Sequence, residues 1–453
     1  MMNLPIEELQ QLFPDHRLAS NVPSSITMVS RDTREEMSGG LYVPIVGERF
    51  NGHDFAADAV KQGAVALLWA RSETLPPSVE EACSIFFVDD TIEGLQKLAA
   101  HYVKNIHPVV IAITGSNGKT TVKDLVASVC KERGRTHQTA GNLNNHIGVP
   151  LTILSMSPDT EYLVLEMGMN HKGEIECLSD IAQPSFAIIT NIGESHIEYL
   201  GSREGIAEAK KEIAYGLQDR GMLIVDGDEP LLDGWETSRV KRIGFSPTSD
   251  SKLVLNGQNH REQRFALDGE EYTLPFLGEH NVKNAAYAVT IGKALKMETA
   301  AIQRGLTQAT MTPMRMERLE GPNGSIILQD AYNASPTSMK AALKTLKSLE
   351  QATAKIAVLG DIFELGNMYE AEMHRSVGRE VSAPVTHLVA VGERAKWIAE
   401  EARKQGSVDV QHVLDTTQAA ERIKPLLKEN AVVLFKASRG MRFEQIVDAL
   451  KDK

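Results

Sequence analysis

Residues 109–130 read "VVIAITGSNGKTTVKDLVASVC", and the interpretation of the whole chain turns on them. The opening apolar run has strand length, and the closing part has the three- and four-residue apolar spacing of a helix. Between them Gly115 and Gly118 are separated by Ser116 and Asn117, and Lys119, Thr120 and Thr121 follow. Glycines allow successive backbone N–H groups to aim inward, which makes an anion nest at a helix N-terminus. Lys119 can then reach the terminal phosphates of a nucleotide, and the Thr120 hydroxyl can ligate Mg²⁺. The common phosphate loop has a glycine five residues before the one preceding its lysine, and here that position is Ile113. An ordinary strand-to-helix turn has no use for Gly-Lys-Thr-Thr in this context. The stretch is a phosphate loop of a different spacing.

The bulk composition narrows the rest. A chain of 453 residues has room for two to four domains, and 42% hydrophobic content builds a core easily. The formal net charge of −12 offers no broad basic surface for nucleic acid. The three cysteines, Cys83, Cys130 and Cys177, lack the paired spacing of a disulfide framework or a zinc site. The acidic start "MMNLPIEELQQLFPD" has no apolar signal core. Apolar runs such as "AVALLWA" fall far short of the ~20 residues of a membrane span. A soluble, cytoplasmic protein without membrane insertion is expected.

Apolar runs of strand length alternate with helical segments through most of the chain. "EYLVLEMG", "SFAIITNIG" and "GMLIVDGDE" read as strands of a parallel sheet covered on both faces. The last 140 residues repeat the alternation with strands in "SIILQDAY", "KIAVLGDI", "HLVAVGE", "DVQHVLD" and "AVVLFKAS", the pattern of a doubly wound domain. Helices there are expected to begin near Ser335, Tyr369, Arg394, Thr416 and Met441. The helix "TIEGLQKLAAHYVKN" before Pro108 and the break at "TQATMTPMRMERLEGPNG" suggest three α/β domains, 1–106, 107–312 and 313–453. The first is small, the second is built like a phosphate-loop ATPase around a parallel sheet, and the third is Rossmann-like.

The short loop resembles that of the Mur ligase family, whose pattern is Thr-Gly-x-x-Gly-Lys-Ser/Thr. Residues after the loop extend the resemblance in the family's order: Glu166 in "LVLEMGMN", His196 in "ITNIGESHIEYLG" and Lys210 in "EGIAEAKKEIAYGL". The resemblance implies that Glu166 and His196 bind Mg²⁺ and that Lys210 is carbamylated. Elementary electrostatics favours the modification, because an ammonium ~4 Å from Mg²⁺ is repelled by about 8 kcal/mol at an effective dielectric of ~20. A carbamate reverses that sign and supplies oxygen ligands suited to a hard cation. "LGEHNVKNAA" is similar to the family pattern in which the residue matching Asn284 contacts adenine, though His280 and Asn281 could simply cap a helix. Arg315 in "PMRME" and Asp330 in "LQDAYNASP" match positions that hold ATP from the C-terminal domain.

The N-terminal stretch "SRDTREEMSGGLYVPIVGERFNGHDF" resembles the family's UDP-sugar-binding domain, with Thr33, Arg34, Asn51 and His53 at the matching substrate positions. "TAGNLNNHIGVPLTIL", carrying Asn142, Asn144 and Asn145, looks like the branch that adds D-alanyl-D-alanine, as do "DAYNASPTSMKAAL" and "LGDIFELG". From these the substrate set gains Asn142, Asn145, Asn333 and Asp361. The Asp-Asn-Pro-Arg type of motif of the diaminopimelate-adding branch is missing. Ser335 and Ala437 depart from the common asparagine and glycine. The implied activity is an ADP-forming ligase joining D-alanyl-D-alanine to UDP-N-acetylmuramoyl-tripeptide, with ATP and Mg²⁺, as a monomer. A sibling ligase adding a single amino acid, or a phosphate-loop switch without ligase activity, are the alternative readings.

Overall fold

The computed structural model describes residues 2–21, 23–235, 239–258 and 262–451. Strand Val109–Thr114 lies inside a nine-stranded sheet, and its alternation decides how that sheet is covered. Val110 and Ala112 enter one apolar core while Ile111 and Ile113 enter the other, so both faces are buried. Its parallel neighbours are Tyr162–Glu166 on one side and Phe186–Ile189 on the other. The sheet continues in parallel through Met222–Asp226, Val240–Gly244 and Ser251–Gln258, with Thr136–Gln138 at the opposite edge. Helix Lys119–Lys131 turns Val122, Leu125, Val126 and Val129 onto the sheet at the three- and four-residue spacing read from the sequence.

An antiparallel extension, Gln263–Leu267 and Glu270–Leu274, completes this sheet. The run of parallel strands does not predict it, but a local signal does. Asp268 and Gly269, with φ of 53° and 84°, form the two-residue turn of the hairpin, and such a pair between alternating strands is a strong hairpin cue.

The N-terminal sheet runs Met28–Ser30, Gly40–Tyr42, Ala64–Ala70 and Ser84–Val88 in parallel, with His16–Arg17 antiparallel at its edge. Helix Thr91–Ile106 is capped by Asp90, whose carboxylate accepts the N–H groups of Ile92 and Glu93. Its Tyr102 hydroxyl donates to the Met156 carbonyl (3.0 Å), and the same apolar core holds Leu95, Leu98, Leu163 and Leu165. The N-terminal sheet and one face of the central sheet therefore share a core. The C-terminal sheet has five parallel strands, Ile326–Gln329, Ala431–Lys436, Ala354–Gly360, His387–Val391 and Asp409–Val413, with cores of its own on both faces. Strand Glu317–Glu320 pairs antiparallel at its edge, within the segment read as an interruption. Helices begin at Pro336, Gly366, Lys396, Thr416 and Glu444, each within three residues of expectation. The architecture is three-domain α/β, as read.

Because Val109–Thr114 and Phe186–Ile189 are adjacent, the residues that follow them meet at the strand ends. Gly115 has φ of 146°, and a Cβ there would lie 1.9 Å from Thr190 Oγ1. That hydroxyl donates to the Asn117 carbonyl (2.6 Å), so it cannot retreat without releasing the loop. Gly115→Ala is expected to destabilise the protein by about 2–4 kcal/mol in urea denaturation, through collision and a strained φ. Wild-type stability in that variant would show that the loop relaxes at no cost.

Candidate active site

The loop backbone is held from the neighbouring strand end. The Ser116 N–H donates to the Asn191 carbonyl (3.1 Å), and the Asn117 N–H donates to Asn191 Oδ1 (3.0 Å). The Gly193 N–H donates to Ser116 Oγ (2.8 Å). Asn191 was not singled out from sequence, since its type and position carry no chemistry without the fold. Gly118, at φ 81°, lies against Asn284, whose Oδ1 is 2.8 Å from where a Cβ would stand. Asn284 in turn donates to Asn281 Oδ1 (3.2 Å), and Asn281 donates to the Leu277 carbonyl (2.7 Å). Helix Glu279–Ala294 is capped at Gly278, so His280 and Asn281 lie in its first turn and are not caps.

A cavity of about 490 Å³ opens above the loop, between the central and C-terminal domains. Ser116, Asn117, Gly118, Lys119, Thr120 and Thr121 form its floor. Glu166, His196, Asn284, Asn142 and Asn145 line it from the central domain, and Arg315, Asp330 and Asn333 line it from the C-terminal domain. Gly115 contributes its carbonyl, which accepts from Lys119 Nζ (2.8 Å). Burial lowers the Lys119 pKa, with Glu166 opposing the shift and Arg315 adding to it.

Two functional groups meet at Thr120. Its hydroxyl donates to Glu166 Oε2 (2.8 Å) and accepts from Arg315 Nη2 (3.1 Å). Asn144 Nδ2 holds the other Glu166 oxygen (2.8 Å). The Arg315 guanidinium lies 4.0 Å over the Tyr332 ring, and its Nε is buried without a partner. Asn117 Nδ2 is likewise buried and unpartnered. Both residues line the cavity, and unsatisfied donors beside a glycine-rich loop and a lysine are what an anionic ligand would satisfy. Asp330 is fixed by Lys436 Nζ (2.6 Å) and by the Met316 N–H (3.2 Å), an ion pair not foreseen in the sequence.

His196 and Asn145 line the cavity with further ties of their own, while Lys210 and Asp361 are not among its lining residues. His196 has φ of 65°, and its Nδ1 is 3.1 Å from Glu364 Oε2 of the C-terminal domain. Lys210, 2% exposed on helix Arg203–Lys211, is not among the residues lining the cavity, though Lys119 is close enough to act on its charge. Its pKa is driven well down by burial, with Lys119 adding to the shift. Asn145 caps the turn before helix Gly148–Leu154, its Oδ1 accepting from Gly148 N (2.8 Å). Asp361 is absent from the cavity. Its Oδ1 accepts the N–H groups of Arg394 (3.0 Å) and Ala395 (2.7 Å).

The N-terminal positions form a separate group. Asn51 Oδ1 accepts from His53 N (3.0 Å) and faces His53 Nδ1 (2.8 Å), while His53 packs edge-on against Trp69. Arg34 is exposed beside Thr33 and pairs with Asp32. That guanidinium holds the Asp32 carboxyl down to about 2.

Comparison with known proteins follows the same division. The Mur ligase middle domain matches residues 113–292, the glutamate ligase domain of Mur ligases matches 314–439, and the catalytic domain of the Mur ligase family matches 25–103. UDP-N-acetylmuramoyl-tripeptide–D-alanyl-D-alanine ligase of Bacillus subtilis is 44% identical over 426 residues, covering 93% of this chain and 92% of its own. The crystal structure of MurF from Acinetobacter baumannii superposes with a TM-score of 0.88 at 31% identity, covering 100% of this chain and 99% of that one. MurF ligase from Thermotoga maritima, solved in complex with ADP, gives 0.83 at 28% identity over 94% of this chain and 97% of that one. With matching models along its length and a relative this similar over nearly all of it, the chain belongs to the Mur ligase family.

Proposed function

We infer that this enzyme joins D-alanyl-D-alanine to UDP-N-acetylmuramoyl-tripeptide at the expense of ATP, forming the pentapeptide precursor of peptidoglycan. The observation that carries the reading is Arg315 reaching from the C-terminal domain to Thr120 of the phosphate loop, in a cavity whose lining residues Asn117 and Arg315 each keep an unpartnered donor. The likeness to D-alanyl-D-alanine ligases of the family supports the substrate pair. The tripeptide carboxylate attacks the γ-phosphorus of ATP, ADP leaves, and an acyl phosphate remains. The amine of D-alanyl-D-alanine then attacks that acyl carbon and phosphate leaves. Two anions meet in the first step, so the charges of Lys119 and Arg315 are the main stabilising contribution of the chain. Asn284 is assigned to adenine, and Asp330 to the nucleotide from the opposite wall. Asn142 and Asn333 are assigned to the peptide, and Thr33, Arg34, Asn51 and His53 to the nucleotide-sugar. Asn145 and Asp361 act on substrate through the backbone they hold.

The residues also fit Mg²⁺. Among the described residues no three His, Cys, Asp or Glu side chains cluster as a metal site, so carboxylate and imidazole alone do not complete one. Thr120 Oγ1 and Glu166 Oε2, 2.8 Å apart, offer hard oxygens, and His196 lines the same cavity. Bound there, the metal would neutralise phosphate charge. Lys210 fits the carbamate: burial, with Lys119 adding to it, lowers its pKa well below the ordinary value, which favours the neutral amine that attacks carbon dioxide. A cytoplasmic monomer accords with this chemistry, and no helix among the described residues is long and apolar enough to cross a membrane.

Phosphate release is expected only when ATP, Mg²⁺, UDP-N-acetylmuramoyl-tripeptide and D-alanyl-D-alanine are all present, with a matching mass gain on the nucleotide-sugar. Release indifferent to the dipeptide would instead indicate a sibling ligase or a nucleotide switch. Lys210→Ala is expected to lower kcat on the order of 100-fold and to remove the carbamate carbon signal seen by ¹³C NMR after equilibration with ¹³C-bicarbonate. Full activity in that variant would exclude the modification as a catalytic requirement.

A further inference from the structure

One buried ion pair lies outside the chemistry above. Lys123 and Asp124 follow the phosphate loop on helix Lys119–Lys131, and their side chains are each 3% exposed. Lys123 Nζ is 2.8 Å from Asp124 Oδ1 and donates to the Thr139 carbonyl (3.1 Å), which satisfies that half of the pair. The other oxygen, Oδ2, serves a residue 188 positions away: it accepts both the N–H (2.9 Å) and the hydroxyl (2.8 Å) of Thr312. Thr312 precedes the C-terminal domain, and Arg315 is three residues further on.

Beyond Thr312 the backbone changes hands quickly. The Met316 N–H donates to Asp330 (3.2 Å), the Tyr332 N–H to the Met314 carbonyl (3.3 Å), and the Met314 N–H to Glu317 (2.9 Å), all within the C-terminal domain. The passage between domains is therefore confined to Pro313 and the start of Met314, and proline has a fixed φ. Met314 and Met316 flank Arg315 at φ of 61° and 52°, a left-handed conformation unfavourable to side chains of this kind. Such a backbone persists only where its surroundings hold it from both ends. Thr120 and Asp124, one turn apart on the same helix, thus grip the segment twice: Thr120 meets the Arg315 guanidinium and Asp124 meets Thr312.

We propose that Asp124 is a positioning residue for Arg315: by holding Thr312 it sets the pivot from which Arg315 reaches the phosphate loop. The proposal rests on Arg315 acting on the nucleotide phosphates. Asp124 variants would leave Lys123 buried and unpaired, so the test is made at Thr312. Thr312→Val removes one of the two bonds and is expected to lower kcat about tenfold, while ADP affinity stays within about twofold. Thr312→Ser, which restores the hydroxyl, is expected to recover activity. In an Arg315→Ala background the valine substitution should cost no more than about a further twofold, because the group it positions is gone. An equal tenfold loss in both backgrounds, or no loss from Thr312→Val, would overturn the proposal. Wild-type kcat in Arg315→Ala would defeat the phosphate role of Arg315, and the proposal with it. Small-angle scattering with a non-hydrolysable ATP analogue supplies a readout independent of turnover. Thr312→Val should show a larger radius of gyration than wild type, and equal radii would also overturn the proposal.

Discussion

The close approach of the backbone at Gly115 to Thr190 governs the site. Parallel strands end level with one another, so the residues following Val109–Thr114, Phe186–Ile189 and Tyr162–Glu166 gather at one edge of the sheet. Thr190 and Asn191 then bond the loop from one side, and Glu166 meets Thr120 on the other. A side chain at position 115 would part the first contact and shift the second. The phosphate loop is thus shaped as much by its neighbouring strand ends as by its own glycines.

The cavity above it has walls of unequal kind. The floor and one wall belong to the central domain, whose core is continuous with that of the N-terminal sheet. The other wall comes from the C-terminal domain, which meets the rest through polar contacts such as Ser335–Asn117 (3.0 Å), Thr337–Glu194 (2.7 Å) and Lys344–Glu279 (2.6 Å). Polar contacts of this type exchange readily with water and individually contribute little net stability. A two-domain cavity joined in this way suits a reaction that must exclude water during turnover and release product afterwards.

Much of this was legible in the chain. The loop and the C-terminal alternation depend on local pattern, which the chain carries without its fold, whereas Glu166, His196 and Lys210 stand out only through their resemblance to the family's order. What escaped was long-range or conformational. Asp361 has a plausible address after a strand, yet its carboxylate is spent on the amides of residues 394 and 395. Ser335, a departure from the common asparagine, both caps helix Pro336–Lys347 and reaches Asn117, a pairing 218 residues apart that no spacing reveals. The hairpin at Asp268-Gly269 is the opposite case: its cue is local, a two-residue turn between alternating strands, but it directly follows a run of parallel strands whose pattern it breaks.

The shared core has a further consequence. Apolar side chains from the N-terminal sheet and the central sheet fill one volume, and among the described residues Met373 is the one C-terminal hydrophobic packed against it. The span between the turn at Asn51–Phe55 and the loop at 115–121 is therefore a constant of the fold, fixed by close packing that resists compression. Any molecule long enough to touch both would be measured against a rigid gauge. The stiff half of the molecule fixes that distance, and the C-terminal half, joined to it by polar contacts, is the part that does not share the gauge.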